Sequence, residues 1–238
     1  MCESRDVPDA RSALVTGGSS GIGLALARML LEEGFGVTLA SRTRAKVEAA
    51  ADSLGCGWIA ADVAQADDCE RVVAEHVERH GGLDLLVNSA GIGIAGRLED
   101  AQVRHVDRQL NVNLRGLVLV TQAAIPHLRR ASSAWIVNLA SIAGTAPVPI
   151  LPIYAATKAA VISLTHTLNA DLEEDGIRAV AICPGFVDTP MAEFTGLPGE
   201  EMIQPEDCAE VVRMCLRLSP RASVGQIVIR RVGGDDVA

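Results

Sequence analysis

The chain has 238 residues, 49% hydrophobic and 21% charged, with a formal net charge of −9; the length suits one large α/β domain and the balance excludes a disordered chain. An acidic surface repels phosphate backbones and anionic headgroups, which argues against nucleic-acid binding and membrane docking. Six cysteines at positions 2, 56, 69, 183, 208 and 215, without a Cys-x-x-Cys pair, and no apolar leader in residues 1–11 set the expectation of reduced thiols in a cytoplasmic protein.

Residues 1–11 read as a short polar tail and 12–238 as a single domain. Apolar runs at 12–16, 36–40, 58–61, 83–88, 134–139, 178–183 and 226–229 alternate with helical patterns. In the first helix, Ile22, Leu26, Met29 and Leu30 share a face that Gly34 ends. Continuous apolar strands separated by helices predict an α/β fold, a Rossmann-type doubly wound parallel sheet of about seven strands with helices on both faces. The stretch 134–157 carries no charge and imitates a membrane span, yet Asn138, Gly144, Pro147, Pro149 and Pro152 break it. It is expected to be a buried strand running into the wall of an apolar pocket. Residues 190–205 are expected to form a short mobile substrate loop.

The first strand runs into Thr16-Gly17-Gly18-Ser19-Ser20-Gly21-Ile22-Gly23, where a helix begins. Glycines 17, 21 and 23 permit a tight turn and bring backbone N–H groups and a positive helix end to a pyrophosphate. A strand before such a turn and a helix after it point to a dinucleotide. The carboxylate that would hold the ribose 2′-hydroxyl of NAD should follow the second strand. Ser41 and Arg42 stand there instead, and both can hold a 2′-phosphate, which favours NADP(H) over NAD(H).

The only tyrosine, Tyr154, lies four residues before Lys158, one of two lysines. In a helix the two share a face. A phenol is a poor acid–base catalyst at neutral pH, and a nearby ammonium is expected to lower its pKa. His76 and His80 are also four apart, but Val77 stands where a zinc-protease helix needs glutamate, so they read as a solvated helix end and no metal is expected. Cys183 reads as packing, and Cys208 and Cys215 as one buried helix face.

Across its whole length the chain resembles the short-chain dehydrogenase/reductase family in its compact single-domain subclass. The resemblance rests on motifs in the family's order. These are the glycine turn, Asp62-Val63, Asn88-Ser89-Ala90-Gly91, Asn113-Leu114-Arg115-Gly116, Ser141, Tyr154-x-x-x-Lys158 and Pro184-Gly185-Phe186-Val187-Asp188-Thr189. It implies that Tyr154 exchanges a proton with the substrate oxygen, while Lys158 tunes it and holds the nicotinamide ribose. Ser141 would orient the substrate oxygen and Asn113 would position a water in a proton relay. Gly17, Ser19, Ser20, Gly21, Ile22, Gly23, Ser41 and Arg42 would hold the phosphates. Asp62 and Val63 would flank the adenine, Asn88 and Ala90 would line the groove, and Val187 and Thr189 would anchor the carboxamide.

The implied function is an NADP(H)-dependent alcohol/ketone oxidoreductase, a ketoreductase, with a catalytically silent NADP(H)-binding regulatory module as the alternative and a bare scaffold as a third reading. Val148, Ile150, Leu151 and Ile153 are expected to form an apolar wall that Met191 and Phe194 close, so the partner is a small carbonyl or alcohol. A carrier-protein-bound 3-oxoacyl substrate would need a basic docking face; Arg129 and Arg130 offer one, against Glu173-Glu174-Asp175. By resemblance the helices at 113–126 and 154–172 would form a homodimer or homotetramer. The sequence departs from the family at Ser20, where NADP-preferring members often carry a basic residue, and at Ser89, where a second asparagine is frequent. Arg231-Val232-Gly233-Gly234 lacks an aspartate, and the loop after Thr189 is short for the family.

Overall fold

Strands apolar on both sides are stable only when both faces of their sheet are covered. The computed structural model, which describes residues 11–233, meets that requirement with seven parallel strands in the order β3-β2-β1-β4-β5-β6-β7. The strands are β1 (Ser12–Thr16), β2 (Gly36–Ser41), β3 (Gly57–Ala60), β4 (Leu85–Asn88), β5 (Ala134–Leu139), β6 (Ile177–Pro184) and β7 (Gln226–Ile229). The alternation of side chains appears along each of them. Ala13 and Val15 enter one core layer and Leu14 the other; Trp135, Val137 and Leu139 oppose Ala134 and Ile136.

The first layer is completed by α1 (Gly21–Glu32), α2 (Arg44–Leu54) and α7 (Pro205–Leu216), through Leu26, Leu30, Val47, Val212 and Cys215. The second is completed by α3 (Ala66–His80), α5 (Leu117–Leu128) and α6 (Pro152–Asp171), through Val72, Val73, Val120, Leu128 and Leu168. A short α4 (Val103–Leu110) leads into α5 through a π-helical turn at Asn111–Gly116. Such wide turns recur at functional sites. Strand order reverses between β1 and β4, so the crevice outside their carboxyl ends is where an open parallel sheet binds its ligand.

The predicted strands were close in position. β3 and β6 begin one residue earlier than expected, while β4 begins at Leu85 and leaves the buried Leu83 outside it. The expected loop at 190–205 contains two 3-10 turns, Pro190–Thr195 and Gly199–Glu201. Cys183, Cys208 and Cys215 are fully buried, as expected. Cys2 and residues 1–10 of the expected tail lie outside the described residues, as does Gly234. Among the described residues no helix is long and apolar enough to cross a membrane.

His76 and His80 are not a solvated helix end. His76 is 0% exposed, packs against the His80 ring at 4.7 Å and lies 3.3 Å from the Ser12 hydroxyl. His80 bonds Thr38 on β2 at 3.1 Å. The pair fastens α3 under the amino ends of β1 and β2, and among the described residues no cluster of His, Cys, Asp or Glu could hold a metal. Burial pushes the His76 pKa down to about 3 from 6.5. The unfolded chain therefore takes up this proton first, and stability is lost as pH falls from about 6.5 towards about 3. We expect His76→Met to remove on the order of a few kcal/mol of that loss. Urea midpoints measured for both proteins across the window check it, and parallel curves would show that His76 is not the titrating group.

Candidate active site

The turn after β1 is shaped by steric demand. Gly17 has φ +67°, and a Cβ there would lie 2.6 Å from the Ala90 amide nitrogen, so only glycine lets β1's turn close onto the turn after β4. Ser20, at the N-cap of α1, makes no side-chain cap bond, and the first turn carries no acidic residue. The backbone N–H groups at this helix end are therefore available to an anion. The Ser19 hydroxyl, in the turn after β1, meets that of Ser41, the last residue of β2, at 2.9 Å.

From here a groove of about 1860 Å³ runs along the carboxyl edge of the sheet, lined by Gly17, Ser19, Ser20, Gly21, Ile22, Ser41, Arg42, Asp62, Val63, Ala90 and Thr189, all anticipated from sequence. Gly23 sits buried behind the turn. The structure adds Thr43 and Lys46 to the groove beside Arg42. Both cations are exposed, whereas Arg44 between them pairs with Glu48 at 4.0 Å and lies over Trp58 at 5.1 Å. The Asp62 carboxylate accepts from the Ala64 amide at 3.1 Å, shaping the bend after β3.

Asn88 is a correction: its side chain does not line the groove. It is 3% exposed and donates to Thr121 Oγ1 at 3.0 Å and to Asn138 Oδ1 at 2.9 Å. Asn88 and Asn138 are register partners on β4 and β5, so this is a polar cross-strand pair inside the sheet.

Beside the groove lies a cleft of about 760 Å³, where Ser141 and Tyr154 face an otherwise largely apolar lining. Val148, Leu151, Met191 and Phe194 contribute as expected, together with Phe186 and Val187. Ile150 and Ile153 do not. Ile150 points outward, 53% exposed, at φ +60°, a conformation that costs a β-branched residue about 1–2 kcal/mol. Its carbonyl is held by the Gly96 amide at 2.8 Å. Ile22, Gly93, Thr189, Met191 and Phe194 line both cavities and form their seam.

Ser141, two residues past the end of β5, is extended, and its Oγ accepts from the Ala143 amide at 3.2 Å, leaving the hydroxyl proton to donate elsewhere. The short turn that follows lies against α6 because Gly144 has no side chain; a Cβ would meet the Lys158 backbone at 2.7 Å. Tyr154 is half-buried one turn before Lys158, whose Nζ sits 5.6 Å from the phenol ring centre. Lys158 is 5% exposed and donates to the Leu139 carbonyl at 2.5 Å. A Cβ on the groove residue Gly91 would lie 3.6 Å from its Nζ.

The expectation that Lys158 lowers the Tyr154 pKa is not met by this arrangement. Burial is the larger influence and raises it, and the Ser141 hydroxyl is what draws it back down. Burial likewise pushes the Lys158 ammonium down to about 8, partly offset by Cys183. The Asn113 amide is committed to protein atoms: Oδ1 accepts from Ile92 N at 2.8 Å, and Nδ2 donates to Ile92 O at 2.9 Å and Thr157 Oγ1 at 3.1 Å. Both side-chain N–H groups of Asn113 are therefore used within the protein.

Residues 11–197 match the model of the short chain dehydrogenase family. The chain belongs to that family. An uncharacterised oxidoreductase of Staphylococcus epidermidis is 33% identical over 222 residues, covering 92% of this chain and 96% of the relative. One of Staphylococcus aureus is 34% identical over 223 residues, with the same coverage. The alcohol dehydrogenase of the archaeon Thermococcus sibiricus, solved with 5-hydroxy-NADP, superposes with a TM-score of 0.87 at 29% identity, over 94% of this chain and 98% of that one. The 3-ketoacyl-(acyl-carrier-protein) reductase of Brucella melitensis, solved with NADH, gives 0.86 at 30% identity over 95% and 98%.

This short-chain dehydrogenase thus brings together Ser141, Tyr154 and Lys158 at one end of a groove whose walls were largely predicted. Sequence reasoning missed Lys46, although it is one of only two lysines and lies one helical turn past Arg42. It also missed Thr157, whose only signal was its place beside Lys158.

The buried amine has a measurable consequence. Its folded pKa of about 8 lies below the unfolded value near 10.5, so the unfolded chain holds more protons between them and stability rises with pH across that window. Wild type should gain about 3 kcal/mol over Lys158→Met between pH 8 and 10.5, as read from denaturant midpoints. Indistinguishable pH dependences would refute a charged, buried Lys158.

Proposed function

We propose that this protein is an NADP(H)-dependent oxidoreductase that interconverts an uncharged, largely apolar alcohol and its ketone, with Tyr154 as general acid and base. The observation that carries the reading is the placing of Tyr154 and Ser141 in an apolar cleft that opens, at Ile22, Gly93 and Thr189, onto the groove of the glycine turn.

The groove fits a dinucleotide on its own chemistry. The uncapped start of α1 and the Ser19–Ser41 pair would hold phosphate, Asp62 and Val63 would border the adenine, and Thr189 and Val187 would meet the carboxamide. Bound there, the nicotinamide supplies the hydride. Ser141 donates its hydroxyl proton to the substrate oxygen and holds it beside Tyr154, which gives that oxygen a proton during reduction and removes one during oxidation. Lys158 holds positive charge beneath the phenol and beside Gly91, where ribose hydroxyls would sit. Arg42 and Lys46, the exposed cations of the groove, favour a 2′-phosphate. The Thermococcus sibiricus neighbour holds an NADP derivative and the Brucella melitensis neighbour NADH, so the preference rests on these two cations.

Tyr154 is the sole ionisable side chain lining the cleft, which favours neutral carbonyl compounds over charged ones. A carrier-bound substrate finds less support: Arg129, one of the two expected docking cations, is engaged by Asp175 at 2.8 Å. A silent regulatory module or a scaffold would leave the assembled Ser141, Tyr154 and Lys158 without purpose. The described cysteines are free thiols, which supports a cytoplasmic setting. We retain the homodimer or homotetramer as the assembly, a reading that sedimentation tests.

Tyr154→Phe is expected to lose about 10²–10⁴ in turnover on the best of a panel of ketones and secondary alcohols while keeping its affinity for NADPH. An unchanged rate would assign the proton to another group. Arg42→Ala and Lys46→Ala should each weaken NADPH binding by roughly tenfold, and NADH binding far less, because each removes one charged contact to a 2′-phosphate. Equal losses for both nucleotides in fluorescence titrations would rule out phosphate recognition.

A further inference from the structure

Thr157 lies between Tyr154 and Lys158 in sequence, yet its side chain enters neither the cleft nor the groove. It is 1% exposed, and both capacities of its hydroxyl are used. It donates to the Tyr154 carbonyl at 2.7 Å and accepts from Asn113 Nδ2 at 3.1 Å. The Asn113 amide in turn grips both backbone polar atoms of Ile92, a groove residue, at 2.8 and 2.9 Å. Asn113 is itself 1% exposed and is carried by the π-helical turn. A continuous run of buried hydrogen bonds thus links the groove wall to the turn of α6 that bears the phenol.

We propose that Thr157 is a positioning residue, whose hydroxyl fixes the Tyr154 turn of α6 at a set distance from the groove by fastening it to Asn113 and Ile92. The proposal rests on the reading of Tyr154 as the acid–base group. The direction of each bond is determined. A hydroxyl that donates its one proton to a carbonyl can only accept from the amide, and an amide that spends its other N–H on Ile92 has no alternative donor for Thr157. Removing the hydroxyl leaves a buried N–H of Asn113 unpaired and cuts the link between Asn113 and α6, which gives the helix turn a reason to shift. A shift of about 1 Å at a reacting group is enough to cost about a hundredfold in rate.

The same helix supplies a control. Thr165, two turns further on, accepts from Asn138 Nδ2 at 3.0 Å and donates to the Val161 carbonyl at 2.7 Å. Its chemistry and its 0% exposure match those of Thr157, but its links run into the sheet and reach neither the groove nor Tyr154. A hydroxyl that only stabilises α6 would matter equally at either place.

Because Tyr154 is the only tyrosine, phenolate absorbance during alkaline titration of the ligand-free protein reports it alone. Thr157→Val should displace that titration upwards, as contact with Ser141 loosens, and lower kcat by about ten- to a hundredfold with NADPH affinity retained. Thr157→Ser should restore both, and Thr165→Val should lose stability while leaving both at wild-type values. A Thr157→Val protein that titrates and turns over as wild type, or one matched in both respects by Thr165→Val, overturns the proposal. If Tyr154→Phe keeps full activity, the acid–base reading fails instead, and the titration still decides whether Thr157 sets the environment of the phenol.

Discussion

The site depends on an amine kept inside the protein. Lys158 gives up most of its hydration and donates one short bond to the Leu139 carbonyl in return. That cost is tolerable only because the surroundings are rigid: the end of β5 supplies the carbonyl, Gly144 lets the following turn lie against α6, and Gly91 leaves space at the ammonium. Each feature that brings Ser141 near Tyr154 also confines Lys158. Structural economy and chemistry coincide at one corner of the fold, where the ends of β4 and β5 meet the start of α6.

Strong local patterns made most of the architecture legible. Seven apolar runs, each with helical sequence after it or before the next, leave little choice but a covered parallel sheet, and two residues at most separate expected from observed strand starts. The glycine turn was readable because its reasons are steric: Gly17 contacts backbone of the adjacent turn, which no other residue could approach as closely. Ser141, Tyr154 and Lys158 were readable through resemblance and through the rarity of tyrosine and lysine in this chain.

What sequence left obscure depends on where side chains turn once the strands are registered. Asn88 looked like a groove residue from its motif, but the pleat directs it inward to Asn138 and Thr121. The two histidines of α3 looked solvent-facing because spacing alone gives a helix face and not its neighbour; the amino ends of β1 and β2 cover that face. Ile150 matched an apolar wall by composition, although its left-handed backbone turns it away. The upward influence on the Tyr154 phenol could not be foreseen either, since burial is a property of the assembled cleft and the four-residue spacing to Lys158 says nothing of it.

The two cavities share Ile22, Gly93, Thr189, Met191 and Phe194. Two ligands separated by a common wall are thermodynamically linked whenever one of them settles that wall. If occupancy of the groove tightens the cleft by some factor, occupancy of the cleft must tighten the groove by the same factor. Met191 and Phe194, both large and both more than two-fifths exposed, are the side chains with most freedom to carry such coupling. Cooperativity between nucleotide and substrate would then be a property of a shared partition, with no distant relay required.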